Sequence, residues 1–217
     1  MDQKLLFLIN HEWTGPALDR FMALMSSLPA WMPLLVVAGV VALWRGGFRA
    51  RAFVLTVGLA VGISDGVVAH SLKRAVNRPR PHQVLDGVRV VDLAKATPRL
   101  LAVAKPATVK LSEAADDLGK VQGRSFPSGH SMNMISAALV AACFYRRYGW
   151  LAFVPALLVC YSRVYVGSHW PSDVVTSIFL AIGITLLLLA ICEMLWRRQA
   201  ARFFPQLHAA HPSLFAA

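Results

Sequence analysis

Charge is scarce in this chain: only 15% of its 217 residues are Asp, Glu, Lys or Arg, against about 25% in soluble globular domains. With 57% hydrophobic residues and a mean hydropathy of +0.55, too little polar surface remains to solvate a monomer of this size. The apolar excess must face lipid. No polar stretch approaches the roughly 50 residues that an appended soluble domain needs, which leaves one domain, residues 1–217, with its chemistry among the helices. Cysteine is rare as well. Cys143, Cys160 and Cys192 all lie in apolar runs, an odd set with neither a disulfide framework nor metal-ligand spacing, so they read as small hydrophobes. Internal repeats and low-complexity tracts are missing. The apolar core Leu5 to Ile9 is too short for a signal peptide and no small-residue cleavage pattern follows it, so the N-terminal segment is expected to be retained.

Acidic residues are the scarcer sign, 11 against 22 Lys and Arg, for a net charge of +11. In a soluble protein this would suggest nucleic acid. In a membrane protein it has two other sources, cytoplasmic loops rich in arginine and an anion-binding site, and no nucleic-acid partner is expected.

Four apolar runs are long enough to cross a bilayer when their ends are buried among neighbours, Arg51 to Val76, Ser131 to Tyr145, Tyr148 to Val166 and Val174 to Trp196, and a fifth, Leu28 to Trp44, is shorter. The expected fold is an all-α integral membrane bundle of five transmembrane helices. Residues 1–27, with Leu18, Phe21, Met22, Met25 and Leu28 at helical spacing opposite Asp19, Arg20 and Ser26, read as an amphipathic interfacial helix, a shallow sixth span being the alternative. Arg45, Arg49, Arg51, Arg146, Arg147, Arg197, Arg198 and Arg202 fall on one side in short connections or the tail, which marks that side as cytoplasmic. The other side, expected to be periplasmic, receives residues 77–125. Four prolines and short apolar clusters there predict a loop of short helices, including a capped turn from Ser112 through Asp116 and Asp117 to Gly119.

Span parity brings three polar segments to that face. The first is Lys73-Arg-Ala-Val-Asn-Arg-Pro-Arg80-Pro81. Taken alone its cations are headgroup anchors or anion ligands; the prolines end the helix and can turn Arg80 back toward Lys73. The second, Phe126-Pro-Ser128-Gly129-His130, opens a helix. Ser128 is a cap or, with the first-turn N–H groups, an anion ligand, and Gly129 permits close approach to the backbone. The third runs from Ser162-Arg163 through His169 to Asp173. Pro171 suits a first helical turn that holds Asp173, whose carboxylate is placed to accept the His169 Nδ1–H and leave Nε2 nucleophilic. Arg163 has no local acidic partner and calls for an anion.

Three cations, a helix N-terminus, two histidines and one acid suit phosphoryl transfer without a metal, the acid being assigned to a histidine. The pattern Lys, six residues, Arg-Pro; Pro-Ser-Gly-His; and Ser-Arg, five residues, His, three residues, Asp resembles the type 2 phosphatidic acid phosphatase superfamily of membrane lipid phosphatases. The resemblance implies a helical core that hydrolyses phosphate esters or anhydrides through a phosphohistidine. It implies His169 as nucleophile, Asp173 as its orienting partner and His130 as acid and then base. Lys73, Arg80, Ser128, Gly129 and Arg163 would bind phosphate, with no metal or cofactor. The layout is most similar to bacterial undecaprenyl diphosphate phosphatases, including Leu6 to Asn10, but departs from them at Gly129, where they often carry an acid, and in its longer loop. Lipid A 1-phosphatases, phosphatidylglycerophosphate phosphatases and lipid phosphotransferases stay open as alternatives. A catalytically silent lipid-binding protein is the alternative of another class, though it would not need both histidines and the acid together.

Outside the motifs, Asp65 reads as structural support in the second span, satisfied by Ser64 and packing. Gly58, Gly62 and Gly66 read as a face for close helix packing. His11, His70 and His82 read as solvated or interfacial.

Overall fold

The computed structural model describes residues 1–117, 121 and 123–215. Helices α1 (Asp2–Phe7) and α2 (Pro16–Ser26) lead into α3 (Leu28–Arg45), then α4 (Phe48–Val61) and α5 (His70–Val76), which are joined by a π-helical stretch, Gly62–Ala69. After the long loop come α7 (Gly129–Phe144), α8 (Phe153–Tyr165) and α9 (Pro171–Leu195). The C-terminal pieces are α10 (Ala201–Phe203) and α11 (Pro205–Ala210). Among the described residues three stretches are long and apolar enough to cross a membrane, Leu28–Arg45, Phe48–Val84 and Pro171–Phe203. Two shorter apolar helices, Gly129–Phe144 and Gly149–Tyr165, complete the set. These are the five expected spans. In α3, Leu34, Leu35, Val36, Val37, Val40 and Val41 are all exposed, an apolar surface of the kind that faces lipid.

The bundle is organised around α7, which packs against α4, α8 and α9. Its buried residues Met132, Ile135, Ala138, Val140 and Phe144 form the spine of the core. A chain of hydroxyls crosses that core, Ser64 to Ser136 at 3.1 Å and Thr185 to Ser136 at 2.9 Å. At the arginine-rich end, Phe48 stacks on His211 with ring centroids 4.4 Å apart and meets Trp196 at 4.9 Å. There Arg49 donates to the Phe144 carbonyl at the end of α7.

Three expectations change. Asp19 does not face solvent opposite an apolar stripe. It is buried, salt-bridged to Arg89 at 2.8 Å and bonded by the Tyr165 hydroxyl at 2.6 Å, and α2 packs on α8. Local periodicity carries no sign of that distant partner. Next, the long loop is not wholly helical. It contains α6 (Pro81–Val84) and a 3-10 turn, Arg99–Ala104, but also strands β1 (Arg89–Asp92) and β2 (Thr108–Leu111), antiparallel with Arg89 opposite Leu111. Residues 112–117 form no helix, because Ser112 closes the strand pair: its hydroxyl donates to the Leu85 carbonyl at 2.6 Å and accepts the Val88 N–H at 3.0 Å. Gly119 lies outside the described residues. Finally, Gly58, Gly62 and Gly66 sit on an exposed face with nothing within 4 Å of where a Cβ would project, so among the described residues no helix packs there.

Candidate active site

The first motif leaves the membrane where α5 ends on Asn77, held in the left-handed region at φ 46°. Arg78 follows, and its carbonyl accepts the Ser125 N–H at 2.9 Å, which fastens the two ends of the long loop together. The Trp170 indole N–H donates to the Pro79 carbonyl at 2.9 Å, joining this segment to the third motif. Arg80 precedes the short α6, where Gln83 accepts its backbone N–H at 2.8 Å.

His169 lies in the turn between α8 and α9, with Asp173 at the third position of α9. Pro171 opens that helix, and the Asp173 carboxylate accepts the Trp170 N–H at 3.2 Å, as an acid in a first helical turn is placed to do. The turn needs Gly167, whose φ of 71° and 2.7 Å approach of a would-be Cβ to the Arg89 carbonyl exclude a side chain.

The expected direct bond between His169 and Asp173 is not formed. His169 Nδ1 lies 2.7 Å from the Ser125 carbonyl oxygen, and Asp173 Oδ2 stays 4.0 Å away. A carbonyl only accepts, so Nδ1 carries the proton and Nε2 keeps its lone pair, the tautomer wanted of a nucleophile. The carboxylate acts one step removed. Asp173 Oδ2 accepts the Ser125 hydroxyl, and Oδ1 accepts Arg78 at 2.6 Å. Arg78 also reaches Asp2 at 2.7 Å and lies over the Trp170 ring at 5.2 Å. Its charge is thus committed to holding the site rather than to an anion.

His169 is 3% exposed. Burial, then the nearby positive charges of Arg163 and Arg80, hold its pKa well below the ordinary histidine value. The imidazole is therefore neutral at pH 7. Asp2, at the mouth of the site, shows the opposite balance. Burial pushes its carboxyl up, but hydrogen bonds from Ser172 and Arg78 outweigh it and hold the pKa below the usual carboxylate range.

In the second motif, Ser128 caps α7. Its buried hydroxyl accepts the Ser131 N–H at 3.4 Å and pairs with the Ser131 hydroxyl at 2.9 Å. Its own N–H donates to Ser177 Oγ at 2.8 Å, tying α7 to α9. Gly129 and His130 form the positive end of the helix. Lys73 reaches this helix start, its Nζ 3.4 Å from where a Cβ on Gly129 would sit. Arg163 is 8% exposed; its guanidinium donates to the hydroxyl and carbonyl of Ser26, while its buried Nε has no partner. Ser26 is neutral, and among the described residues no carboxylate forms a salt bridge with this arginine, Asp92 being an acid at longer electrostatic range. Arg163, Lys73 and Arg80 all lie within electrostatic range of His130, and His130 within range of His169.

All eight residues singled out from the sequence thus gather at one end of the bundle. Ser125, Arg78, Ser26 and Ser177, which also shape the site, were not singled out. Arg78 lies within the first motif and Ser125 adjoins the second; Ser26 and Ser177 carry no local signal.

Fold and site define a multi-span membrane protein with Lys73, Arg80 and Arg163 gathered around two histidines. The chain belongs to the PAP2 superfamily, whose family model matches residues 50–197. It is 41% identical to an undecaprenyl-diphosphatase of Sulfolobus acidocaldarius over 64 residues, 29% of this chain and 31% of that one. It is 27% identical to the undecaprenyl-diphosphatase BcrC of Bacillus subtilis over 72% of this chain and 67% of that one. To a lipid A 4'-phosphatase of Porphyromonas gingivalis it is 27% identical over 82% of this chain and 67% of that one. The matching region thus spans about a third to two thirds of these curated relatives. Among solved structures the fold is similar to that of Aquifex aeolicus LpxE, with TM-score 0.62 and 24% identity over 87% of this chain and 94% of that one.

Proposed function

We propose that the protein is a lipid phosphatase that works without a metal, at the periplasmic face of a bacterial inner membrane, through a phosphohistidine on His169. The observation that carries this reading is the His169 Nδ1–H bond to the Ser125 carbonyl, which leaves the Nε2 lone pair for attack on a ring that has Arg163 and Arg80 within electrostatic range. In the reaction, Nε2 attacks phosphorus, the bond from phosphorus to the lipid-side oxygen breaks, and His130 gives that oxygen its proton. A water then attacks the phosphohistidine, His130 takes the water's proton, and inorganic phosphate leaves. Lys73, Arg80, Arg163 and the start of α7 face the charge that spreads over the equatorial oxygens, where one such donor is typically worth about 3 to 4 kcal/mol.

The favoured substrate is undecaprenyl diphosphate, cleaved to undecaprenyl phosphate, because relatives bearing that activity in their names match both a stretch of 64 residues at 41% identity and, at 27%, most of this chain. A second reading, lipid A cleaved at a phosphate monoester, is supported by the longer match to the lipid A 4'-phosphatase. Residues 1–27 are proposed to sit at the interface and residues 77–125 to form the periplasmic rim.

The test is phosphate release by the detergent-purified protein, with EDTA present, from undecaprenyl diphosphate, phosphatidylglycerophosphate, phosphatidic acid and lipid A, beside His169→Ala. Release that the substitution abolishes supports the enzyme, and the ranking names the lipid. Lipid retention without release from any of the four would favour a binding protein.

A further inference from the structure

Asp65 is an acid inside a span, and the structure leaves it without the support expected for it. Ser64 is turned away and bonds Ser136 at 3.1 Å, and Asp65 itself stays exposed. An open carboxylate in a membrane-embedded helix is costly unless it faces a cation or a polar cleft. It lies in the π-helical stretch Gly62–Ala69, a distortion of the ladder that in other helices often marks a functional position. That stretch aims it at the start of α7: Asp65 Oδ1 lies 2.6 Å from the point where a Cβ on Gly129 would sit, and Lys73 Nζ lies 3.4 Å from the same point. Gly129 is thus the gap through which a carboxylate from another helix reaches the beginning of α7, beside His130.

The groups facing His130 come from every element around it: Lys73 from α5, Arg80 from the loop, Arg163 from α8, His169 from the turn before α9, and Asp65 from the π-helical stretch. All but one are cationic or neutral. Asp65 is the one anion among these groups, and an anion beside a proton donor favours its protonated form. We propose that Asp65 is a positioning residue for His130, supplying across the Gly129 gap the negative charge that lets His130 hold the proton it gives to the leaving oxygen. This rests on the reading of His130 as the proton donor.

The experiment compares the full-length wild type with Asp65→Asn, Asp65→Ala and Asp65→Ala combined with Gly129→Asp, in detergent. The first readout is the titration of His130 by NMR of histidine-labelled protein, which needs no turnover. An opposite charge at about 4 to 6 Å is worth about one pKa unit or more, so the His130 midpoint is expected to fall by about that much in Asp65→Asn and Asp65→Ala. In the double variant, which puts a carboxylate back at the same point, it should recover. The second readout is kcat against pH with dioctanoyl phosphatidic acid, whose basic limb should move to lower pH in step, with KM nearly unchanged. An unmoved His130 midpoint in Asp65→Asn, a rate reduced equally at all pH, or a double variant whose midpoint stays with Asp65→Ala would each overturn the proposal. A wild type that releases no phosphate while its His130 midpoint responds to Asp65→Asn would instead count against the phosphatase reading and leave the Asp65–His130 coupling standing.

Discussion

The imidazole of His169 is held by a peptide carbonyl, that of Ser125, at 2.7 Å, while the nearest carboxylate, Asp173, lies 4.0 Å from the same nitrogen. Tautomer choice therefore belongs to the backbone, and the acid holds the backbone in place.

This arrangement predicts a graded response to substitution. Asp173→Asn should lower kcat by about 10- to 100-fold, the equivalent of about 1.5 to 3 kcal/mol for a hydrogen bond to a charged group, whereas His169→Ala should abolish turnover. A carboxylate that orients its histidine directly is typically worth about 10⁴-fold. A loss of that size in Asp173→Asn would contradict the relayed arrangement.

The depressed pKa of His169 fixes the sign of a pH effect on stability. Unfolded, the imidazole takes up a proton near its ordinary value of 6.5, but in the fold it stays neutral well below that. Between the two values the unfolded state binds more protons, so stability falls as pH drops below about 6.5. Thermal unfolding in detergent should show a Tm that declines on the acid side, with a shallower decline in His169→Gln. Identical slopes for the two proteins would refute this.

One part-buried ion pair helps to dock α2, beside the buried Met22 and Ala23. Arg89 holds both oxygens of Asp19, at 3.0 and 2.8 Å, and the Tyr165 hydroxyl bonds the same carboxylate at 2.6 Å. Asp19→Ala leaves Arg89 uncompensated, and breaking a buried pair costs about 3 to 5 kcal/mol. The expected result is a large loss of thermal stability, with most of it spared in a double variant that also removes the arginine, Arg89→Met. A single-variant loss below about 1 kcal/mol, the range of exposed pairs, would show that the pair does not dock the helix.

How much of this could be read from the sequence depended on range. The five spans, the capped starts of α7 and α9 and the grouping of Lys73, Arg80, Ser128, Gly129, His130, Arg163, His169 and Asp173 at one end all follow from local signals and from counting crossings. Ser125 as the partner of His169, Ser26 beneath Arg163, and Asp19 paired with Arg89 are contacts between residues 44, 137 and 70 positions apart. Nothing in periodicity or capping marks them. The strand pair has no local signature, because Val88 to Leu93 reads as a short apolar cluster and its partner Thr108–Leu111 lies beyond an intervening helical turn.

The leaving group separates the two histidines. A diphosphate expels a stabilised phosphate, while a monoester expels a poorer alkoxide that needs its proton more. His130→Ala should therefore slow hydrolysis of phosphatidic acid more than that of undecaprenyl diphosphate in single-turnover measurements. Equal losses would mean that His130 does not donate to the leaving oxygen.

The most direct test of the central claim is to trap the intermediate. Protein mixed with substrate labelled in its terminal phosphate and quenched within one turnover should carry label that is lost in acid and kept in base, as a phosphohistidine is, and that label should map to His169. Label in wild type and His130→Ala but none in His169→Ala is the result expected. Phosphate release without any labelled protein, or label that persists in His169→Ala, would contradict the account.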